Sequence, residues 1–277
     1  MAATKQTMFP NKSVFYFFLL SCCIIQVILC GFATDLLFAA QTTIEGHIYL
    51  PGGQTAPYGG IRVNINLTNQ NSPYQHIIVA VTIPAGSSSQ QYSAILPNDQ
   101  SSSWIVNYYY WGKDYVHYAY YSTSGTTWKY SEATSLPGGQ DHANINLTLL
   151  TGKTISGIIS LPPGRFSPPG GIGFSVKTED LSSQTGNTQV FIFLQAGLTS
   201  TPYHLTVPDD MGLQFRISYI YYGTDYIPTG YYSNSGTKKE STDATILPGG
   251  VNYSDINITV LPKFSWPMFL PAIEANH

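Results

Sequence analysis

The strongest feature of this sequence is an internal duplication. When the chain is shifted by 111 residues, positions 43–150 align without a gap on positions 154–261, and about 40 of the 108 aligned residues are identical. Glycine, proline and tyrosine account for many of these identities. An ungapped duplication of this length indicates two copies of one domain. We therefore predict two similar domains, at residues 42–150 and 154–262, joined by a linker so short that it restricts their relative movement.

Alternating apolar and polar residues predict that each copy is built from β-strands. In residues 62–68, Val63, Ile65 and Leu67 alternate with polar residues, which is typical of a strand with one buried face. Beyond the N-terminal segment no stretch of about 12 residues carries a helical period. About seven short strands per copy, bounded by Gly, Pro, Asn and Ser, indicate an all-β fold with a β-sandwich in each copy. Further strand-like runs occupy residues 77–83, 104–110, 145–148, 190–194 and 256–259.

The second copy also resembles a known family. The segments TISGIISLPPGRFSPPGGIGFSV, YHLTVPDD and FRISYIYYG, at 154–176, 203–210 and 215–223, are similar to the carboxypeptidase-regulatory-like, or transthyretin-like, β-sandwich repeat. This resemblance covers both copies and implies two tandem Ig-like sandwich domains with an accessory, spacer or adhesive role outside the cell. In overall type, but in no motif, the chain resembles uncharacterised secreted matrix proteins of coral-type calcified skeletons, which implies a role in biomineralisation.

Residues 1–33 have the pattern of a secretory signal peptide. Lys5 and Lys12 precede an almost unbroken apolar run at 14–30, and the small-residue triplet GFA, which ends at Ala33, resembles a cleavage site. An uncleaved membrane anchor is the alternative, because the apolar run is close to the shortest length that spans a bilayer. We expect cleavage near Ala33 and a secreted, extracellular protein with no membrane span.

Composition excludes several classes of function. All three cysteines, Cys22, Cys23 and Cys30, fall in the predicted signal segment, so the mature chain would have no disulfide and no thiol chemistry. Acidic residues outnumber basic ones by 15 to 12, whereas nucleic-acid binding requires a dense basic surface. No EF-hand loop, zinc-type histidine spacing, phosphate loop or nucleophile elbow occurs. We expect Asp114 and Asp225 to cap turns rather than to bind calcium, and we expect no metal, no cofactor, no nucleic-acid partner and no catalytic residue.

Four Asn-x-Ser/Thr sequons follow the predicted signal segment. In an exported chain they indicate N-glycosylation at surface positions, and the strand alternation turns Asn66 away from the core. Because the chain is rich in Asn, Ser and Thr, chance occurrence is the alternative. The candidate glycosylation sites are Asn66, Asn146, Asn252 and Asn257.

Tyrosine and tryptophan on the second face of the strand at 104–111, and in the following segment, provide candidate ligand-binding residues. Flat exposed rings with polar neighbours stack on sugars and bury a large area at a small entropic cost. Ordinary packing, together with the strand preference of Tyr, is the alternative. The candidates are Tyr109, Trp111, Tyr120 and Tyr121 in the first copy and Tyr222, Tyr231 and Tyr232 in the second.

These features together predict a non-enzymatic structural or adhesive protein of an extracellular matrix, of which a mineralised matrix is one form. Its partners would be matrix components or glycans. A pair of carbohydrate-binding modules is the first alternative, and a secreted hydrolase, such as a paired-carboxylate glycosidase, is the second. The Pro- and aromatic-rich tail at 263–277 lies outside the repeat, and we expect it to pack on the second domain or to fray.

Overall fold

The computed structural model describes residues 41–72, 74–182 and 187–263. The predicted signal segment, and all of the predicted tail except Lys263, lie outside these ranges. Within them the chain consists of strands and three short 3-10 turns, at Pro51–Gly53, Tyr130–Glu132 and Ser241–Asp243, so the all-β prediction is confirmed. No helix in the described ranges has the length and apolar character needed to cross a bilayer.

The first repeat forms two sheets. One has the strand order β4-β1-β9, with β1 and β4 antiparallel and β1 and β9 parallel, and the other has the order β3-β2-β5-β6-β7, with β8 also paired to β5. The strands are β1 Thr42–Tyr49, β2 Ile61–Asn69, β3 His76–Ile83, β4 Ser89–Leu96, β5 Ser103–Tyr110, β6 Tyr118–Ser122, β7 Gly125–Thr127, β8 Ser135–Pro137 and β9 Leu147–Thr148.

The second repeat reproduces this arrangement with the sheets β13-β10-β17 and β12-β11-β14-β15, and β16 also pairs with β14. Its register is the same, since Gly46 lies opposite Tyr92 in the first repeat and Gly157 lies opposite Tyr203 in the second. In these paired strands the structural repeat therefore follows the sequence repeat residue by residue, although the second repeat has no strand equivalent to β7 in its described residues. The strands are β10 Lys153–Ser160, β11 Ile172–Asp180, β12 Thr188–Leu194, β13 Ser200–Val207, β14 Gln214–Tyr221, β15 Thr229–Tyr231, β16 Ile246–Pro248 and β17 Ile258–Thr259.

Each pair of sheets packs face to face around a hydrophobic cluster. In the first repeat, Ile44 of β1 meets Ile65 of β2 and Trp104 of β5, so both sheets contribute to one core. Phe174 and Phe215 hold comparable positions in a second cluster. These contacts confirm the sandwich architecture, whereas the domain boundaries at 42–150 and 154–262 stay a prediction.

The two repeats also contact each other. Lys129 lies 3.1 Å from the Asp210 carboxylate, and Thr206 Oγ1 donates a hydrogen bond to the Lys113 carbonyl oxygen at 2.5 Å. The half-buried ring of Trp128, from the first repeat, packs against the second core. These contacts bring the outer face of β5 and β6 close to the outer face of β11 and β12, which creates the surface described below.

Candidate functional site

The candidate aromatic residues fall into two groups by exposure. Trp111 and Tyr222 occupy equivalent positions directly after β5 and β14, and they are 68% and 60% exposed. Tyr120 is buried. Tyr109, Tyr121, Tyr231 and Tyr232 are half-buried. The two exposed rings are therefore the ones that a ligand can reach from solvent.

In the first repeat the predicted second face of β5 becomes a continuous row of rings. Alternate residues of a strand share a face, so Tyr109 and Trp111 stand together, with ring centroids 4.4 Å apart. Tyr118 lies opposite Tyr109 in the antiparallel pairing with β6, and the row continues through Tyr120 to Tyr130. Each successive pair is T-shaped, which is a favourable geometry for aromatic quadrupoles.

This row includes two rings that strand alternation did not identify, those of Tyr118 and Tyr130. Ile105 and Asn107 lie on the same face, yet they are buried, because Tyr118, Tyr120 and Tyr130 surround them. Tyr130 comes from a 3-10 turn far along the chain, so a local pattern carries no signal for it. The buried part of the row supports the sheet, and Trp111 is the more exposed of its two ends, at 68% against 49% for Tyr130.

Three other candidates have structural contacts instead. Tyr121 packs against the first core and Tyr232 packs against the second. The Arg216 guanidinium lies 5.4 Å from the ring centroid of Tyr231, which is within cation–π range. The structure does not bring these three rings to the surface around Trp111 and Tyr222.

Tyr222 is embedded in a small polar network. Its hydroxyl group lies 2.9 Å from Ser175 Oγ and accepts a 3.5 Å hydrogen bond from Gln189 Nε2, which also donates to Ser175 at 2.8 Å. The exposed ring of Phe191 lies 6.3 Å from the Tyr222 ring. This part of the second repeat therefore combines flat apolar rings with hydrogen-bonding groups, which is the mixture that specific ligand sites use.

A cleft of about 350 Å³ lies between the repeats, and we call it the inter-repeat cleft. Its size is at the small end of the range for small-molecule sites. Trp111 contacts the ring of Tyr109, which lines the wall from the first repeat. Gln189, which lines the wall from the second repeat, donates a hydrogen bond to the Tyr222 hydroxyl group. The lining residues are Tyr109 and His117 from the first repeat and Lys177, Thr178, Glu179, Asn187, Thr188 and Gln189 from the second.

The ionisable groups of the cleft have different surroundings. The Glu179 carboxylate accepts hydrogen bonds from Arg216 Nε at 3.1 Å and Nη2 at 2.7 Å, so its charge is compensated. Among the described residues no carboxylate lies within ion-pair distance of Lys177. His117 is 3% exposed, its Nε2 has no hydrogen-bond partner in the described ranges, and burial lowers its pKa. Near pH 7 the uncompensated charge of the cleft is therefore the Lys177 ammonium group.

The structure describes all four candidate glycosylation sites. Asn66 is half-buried on the outer face of β2, opposite Asn107 of β5. The other three use the side-chain oxygen to accept a hydrogen bond from a backbone amide of β1 or β10. The pairs are Asn146 with His47 at 2.9 Å, Asn252 with Thr154 at 2.8 Å and Asn257 with Ile158 at 3.0 Å. A glycan attaches to the side-chain nitrogen, so these contacts are compatible with glycosylation.

The acidic residues cap turns at positions other than the expected ones. Asp99 accepts a hydrogen bond from the Ser101 amide at 2.9 Å, and the equivalent Asp210 accepts one from the Gly212 amide at 2.7 Å. Asp114 instead lies 3.7 Å from His204 of the second repeat and 3.5 Å from the Tyr110 hydroxyl group. Within the described part of the chain, no three His, Cys, Asp or Glu side chains are grouped so that they could hold a metal ion.

No family model matches the chain, and no curated protein matches it. Several solved structures are similar to it at low scores. A leucine-rich repeat protein from Bacteroides thetaiotaomicron aligns with 80% of this chain at 9% identity and TM-score 0.26, and the chain spans only 26% of that protein. The shaft pilin spaA from Lactobacillus rhamnosus GG aligns with 82% at 10% identity and TM-score 0.25, over 100% of its length. CBD12 from CALX1.2 aligns with 65% at 6% identity and TM-score 0.19, over 72% of its length. Similarity this weak assigns the chain to no family.

The buried tyrosines predict a loss of stability at alkaline pH. Burial raises the pKa of Tyr219 to about 12, and burial with the nearby Asp114 carboxylate raises the pKa of Tyr110 to about 12. A tyrosine in the unfolded chain ionises near pH 10. The folded state therefore keeps protons that the unfolded state loses, and this contribution to stability is complete below pH 10 and lost as the pH rises through 12.

We expect the contribution of the buried tyrosines to the free energy of unfolding, measured in urea, to be constant from pH 8 to pH 9.5 and to fall steeply from pH 10 to pH 12. Tyrosinate absorbance measured on the same samples should rise in two steps, with the buried tyrosines ionising as the far-ultraviolet circular dichroism signal is lost. A single ionisation step near pH 10 with an intact circular dichroism spectrum would contradict this expectation.

Proposed function

We propose that this chain is a non-enzymatic, secreted adhesive or structural protein of an extracellular matrix. Two tandem sandwich domains of transthyretin-like type, at 42–150 and 154–262, would follow a signal peptide at 1–33. The observation that supports this proposal most directly is the repetition of one sandwich with identical register, linked by residues 151–153 and by contacts between the repeats. Such a pair forms a semi-rigid unit that presents side chains at fixed spacing, as adhesive modules do.

The composition of the exposed surface agrees with a binding role. Large apolar side chains exposed in one area are unusual on a monomer and often mark interaction sites. Trp111, Tyr222, Phe191 and Phe193 are each more than half exposed. Because Phe191 and Phe193 lie over the glycines Gly173 and Gly171 of the neighbouring strand, the sheet itself holds their rings outward.

A specific observation favours carbohydrate binding as the second candidate. The exposed Trp111 and Tyr222 rings adjoin opposite walls of a cleft that also holds amide and hydroxyl groups. Sugars bind through the stacking of ring faces and through hydrogen bonds to their hydroxyl groups, and this arrangement provides both. The two candidates are compatible, since polysaccharides are components of extracellular matrices.

The proposal is tested by co-sedimentation of the mature chain with insoluble matrix materials. We expect the protein to sediment with at least one of chitin, cellulose, acid-insoluble skeletal matrix and calcium carbonate, and the double variant Trp111→Ala/Tyr222→Ala to lose most of this binding. The matched control is Tyr58→Ala/Tyr74→Ala, because both of these side chains are at least nine-tenths exposed and neither lines the cleft. Recovery of the wild-type protein in the supernatant with every material would refute an adhesive role.

A further inference from the structure

The inter-repeat cleft has a charge that the aromatic residues alone do not explain. Lys177 lies on β11 between Gln189 of β12 and Ser218 of β14. Its ammonium group has no acidic partner among the described residues, and it differs from other unpaired lysines, such as Lys239, because it lines the inter-repeat cleft. A cation without a partner, beside hydrogen-bonding groups in a cleft, favours an anionic ligand.

The nearest acidic group of the cleft does not cancel this charge. Glu179 lies two residues from Lys177 on the same strand face, but Arg216 holds its carboxylate through two hydrogen bonds. His117 adds no charge near pH 7, because it is buried on the opposite wall and burial lowers its pKa. The cleft therefore presents one net positive charge to a ligand.

The neutral part of the ligand has to match the remaining walls. The Gln189 side-chain amide, whose nitrogen donates to Ser175 and Tyr222 and whose oxygen faces no donor in the hydrogen bonds described above, forms a hydrogen-bonding edge with the Tyr222 hydroxyl group next to Lys177. Tyr109 with Trp111 forms an aromatic wall on the other side. A sugar ring has an apolar face that stacks on an aromatic ring and hydroxyl groups around its edge. One carboxylate or sulfate group on such a ring would meet the Lys177 ammonium group.

We propose that the inter-repeat cleft binds an acidic sugar residue, carrying a carboxylate or a sulfate group, within a matrix polysaccharide. Lys177 pairs with the anionic group, the Gln189 side-chain oxygen accepts a hydrogen bond from a sugar hydroxyl group, and Trp111 stacks on the exposed part of the glycan. This proposal rests on the carbohydrate-binding form of the proposed function and adds to it a charge class and a contact residue.

The test uses isothermal titration calorimetry of the mature chain with soluble ligands. The probes are hyaluronan oligosaccharide for the carboxylate, chondroitin sulfate oligosaccharide for the sulfate, chitohexaose and maltohexaose as neutral sugars, and inorganic sulfate as the free anion. We expect at least one acidic oligosaccharide to bind, and to bind more tightly than the neutral sugars and inorganic sulfate. The source of the anionic group is read from which acidic oligosaccharide binds.

Lys177→Gln is expected to weaken this binding by about tenfold or more, which corresponds to the loss of one charge-assisted hydrogen bond. The matched control is Lys239→Gln, because it makes the same charge change at an exposed position that does not line the cleft. Circular dichroism and the urea midpoint establish that both variants are folded. Equal losses in the two variants would show a non-specific charge effect and would overturn the proposal.

The remaining outcomes separate this proposal from the proposed function. Neutral sugars that bind as tightly as acidic ones, with no effect of Lys177→Gln, overturn the charge class but leave carbohydrate binding. Co-sedimentation with matrix materials in the absence of oligosaccharide binding overturns the site and leaves the adhesive role. Inorganic sulfate that binds as tightly as an acidic oligosaccharide identifies a simple anion site and overturns the saccharide assignment.

Discussion

Replacement of Gly46 by alanine is expected to destabilise the first repeat by about 3 kcal/mol or more. A Cβ atom on Gly46 would lie 2.0 Å from the Ile145 carbonyl oxygen, which is far inside van der Waals contact. Neither the backbone of β1 nor the Ile145 carbonyl group can move easily to relieve this overlap. β1 is paired with β4 along its whole length, and the Ile145 oxygen also accepts a hydrogen bond from the buried Tyr92 hydroxyl group. A loss of this size is a large part of the stability of a typical domain.

The second repeat provides an internal replicate of this experiment. A Cβ atom on Gly157 would lie 2.2 Å from the Ile256 carbonyl oxygen, which accepts a hydrogen bond from the Tyr203 hydroxyl group. We therefore expect Gly157→Ala to cost a similar amount. If the repeats are separate domains, as we predict, each substitution should lower chiefly the unfolding transition of its own repeat.

The control for both variants is Gly170→Ala. No atom lies within 4 Å of a Cβ placed at Gly170, and its backbone is outside the left-handed region, so alanine fits there. Because alanine restricts the unfolded chain, this change should be neutral or stabilising by up to about 1 kcal/mol. Urea denaturation followed by circular dichroism measures all three variants. If the free energy of unfolding of Gly46→Ala lies within about 1 kcal/mol of the wild-type value, the segment that contains Ile145 is not held against β1.

Trp104→Ala should be the most damaging single truncation in the core of the first repeat. Trp104 is completely buried, and its indole nitrogen donates a hydrogen bond to Ser102 Oγ at 2.9 Å. Truncation leaves a large cavity and removes this hydrogen bond, and buried Trp-to-Ala changes cost about 3–5 kcal/mol. The equivalent Phe215 is also completely buried, so Phe215→Ala is expected to have a comparable effect in the second repeat.

Trp111→Ala is the matched control, because it removes the same side chain from the solvent end of the same strand segment. Trp111 is 68% exposed and loses mainly its edge contact with Tyr109, which is worth about 1 kcal/mol. Thermal and urea unfolding should therefore separate the two tryptophan variants by at least about 2 kcal/mol. Equal stabilities would contradict the burial of Trp104. A near-native Trp111→Ala protein also makes this variant suitable for the binding experiments.

Sequence patterns predicted the strands well where one face is buried and the other is exposed to solvent. The alternation at 62–68 corresponds to β2, and the run at 77–83 corresponds to β3. The very short strands β7 and β8 escaped prediction because three residues cannot show a period. The count of about seven strands per repeat was too low for this reason.

The candidate site was predictable to a smaller extent. Position on the strand identified Tyr109 and Trp111, and the duplication identified Tyr222. The sequence carried no sign that Lys177 and Gln189 would stand opposite His117, since the two walls of the cleft come from different repeats. Nor did alternation show that Tyr120 would be buried, because Tyr130 packs against its ring from a separate 3-10 turn.

Sequence patterns were sufficient to predict the all-β fold, the repeat and the inward face of each long strand. The two-residue period is a local property of a strand, and the repeat is visible when the sequence is compared with itself. The burial of the tyrosine row, the compensation of Glu179 by Arg216 and the existence of the cleft depended on how sheets and repeats pack together. Such features join residues that are distant along the chain, and contacts such as Lys129 with Asp210 set their geometry. Packing between the two copies, rather than the pattern within either one, thus forms the surface to which we assign binding.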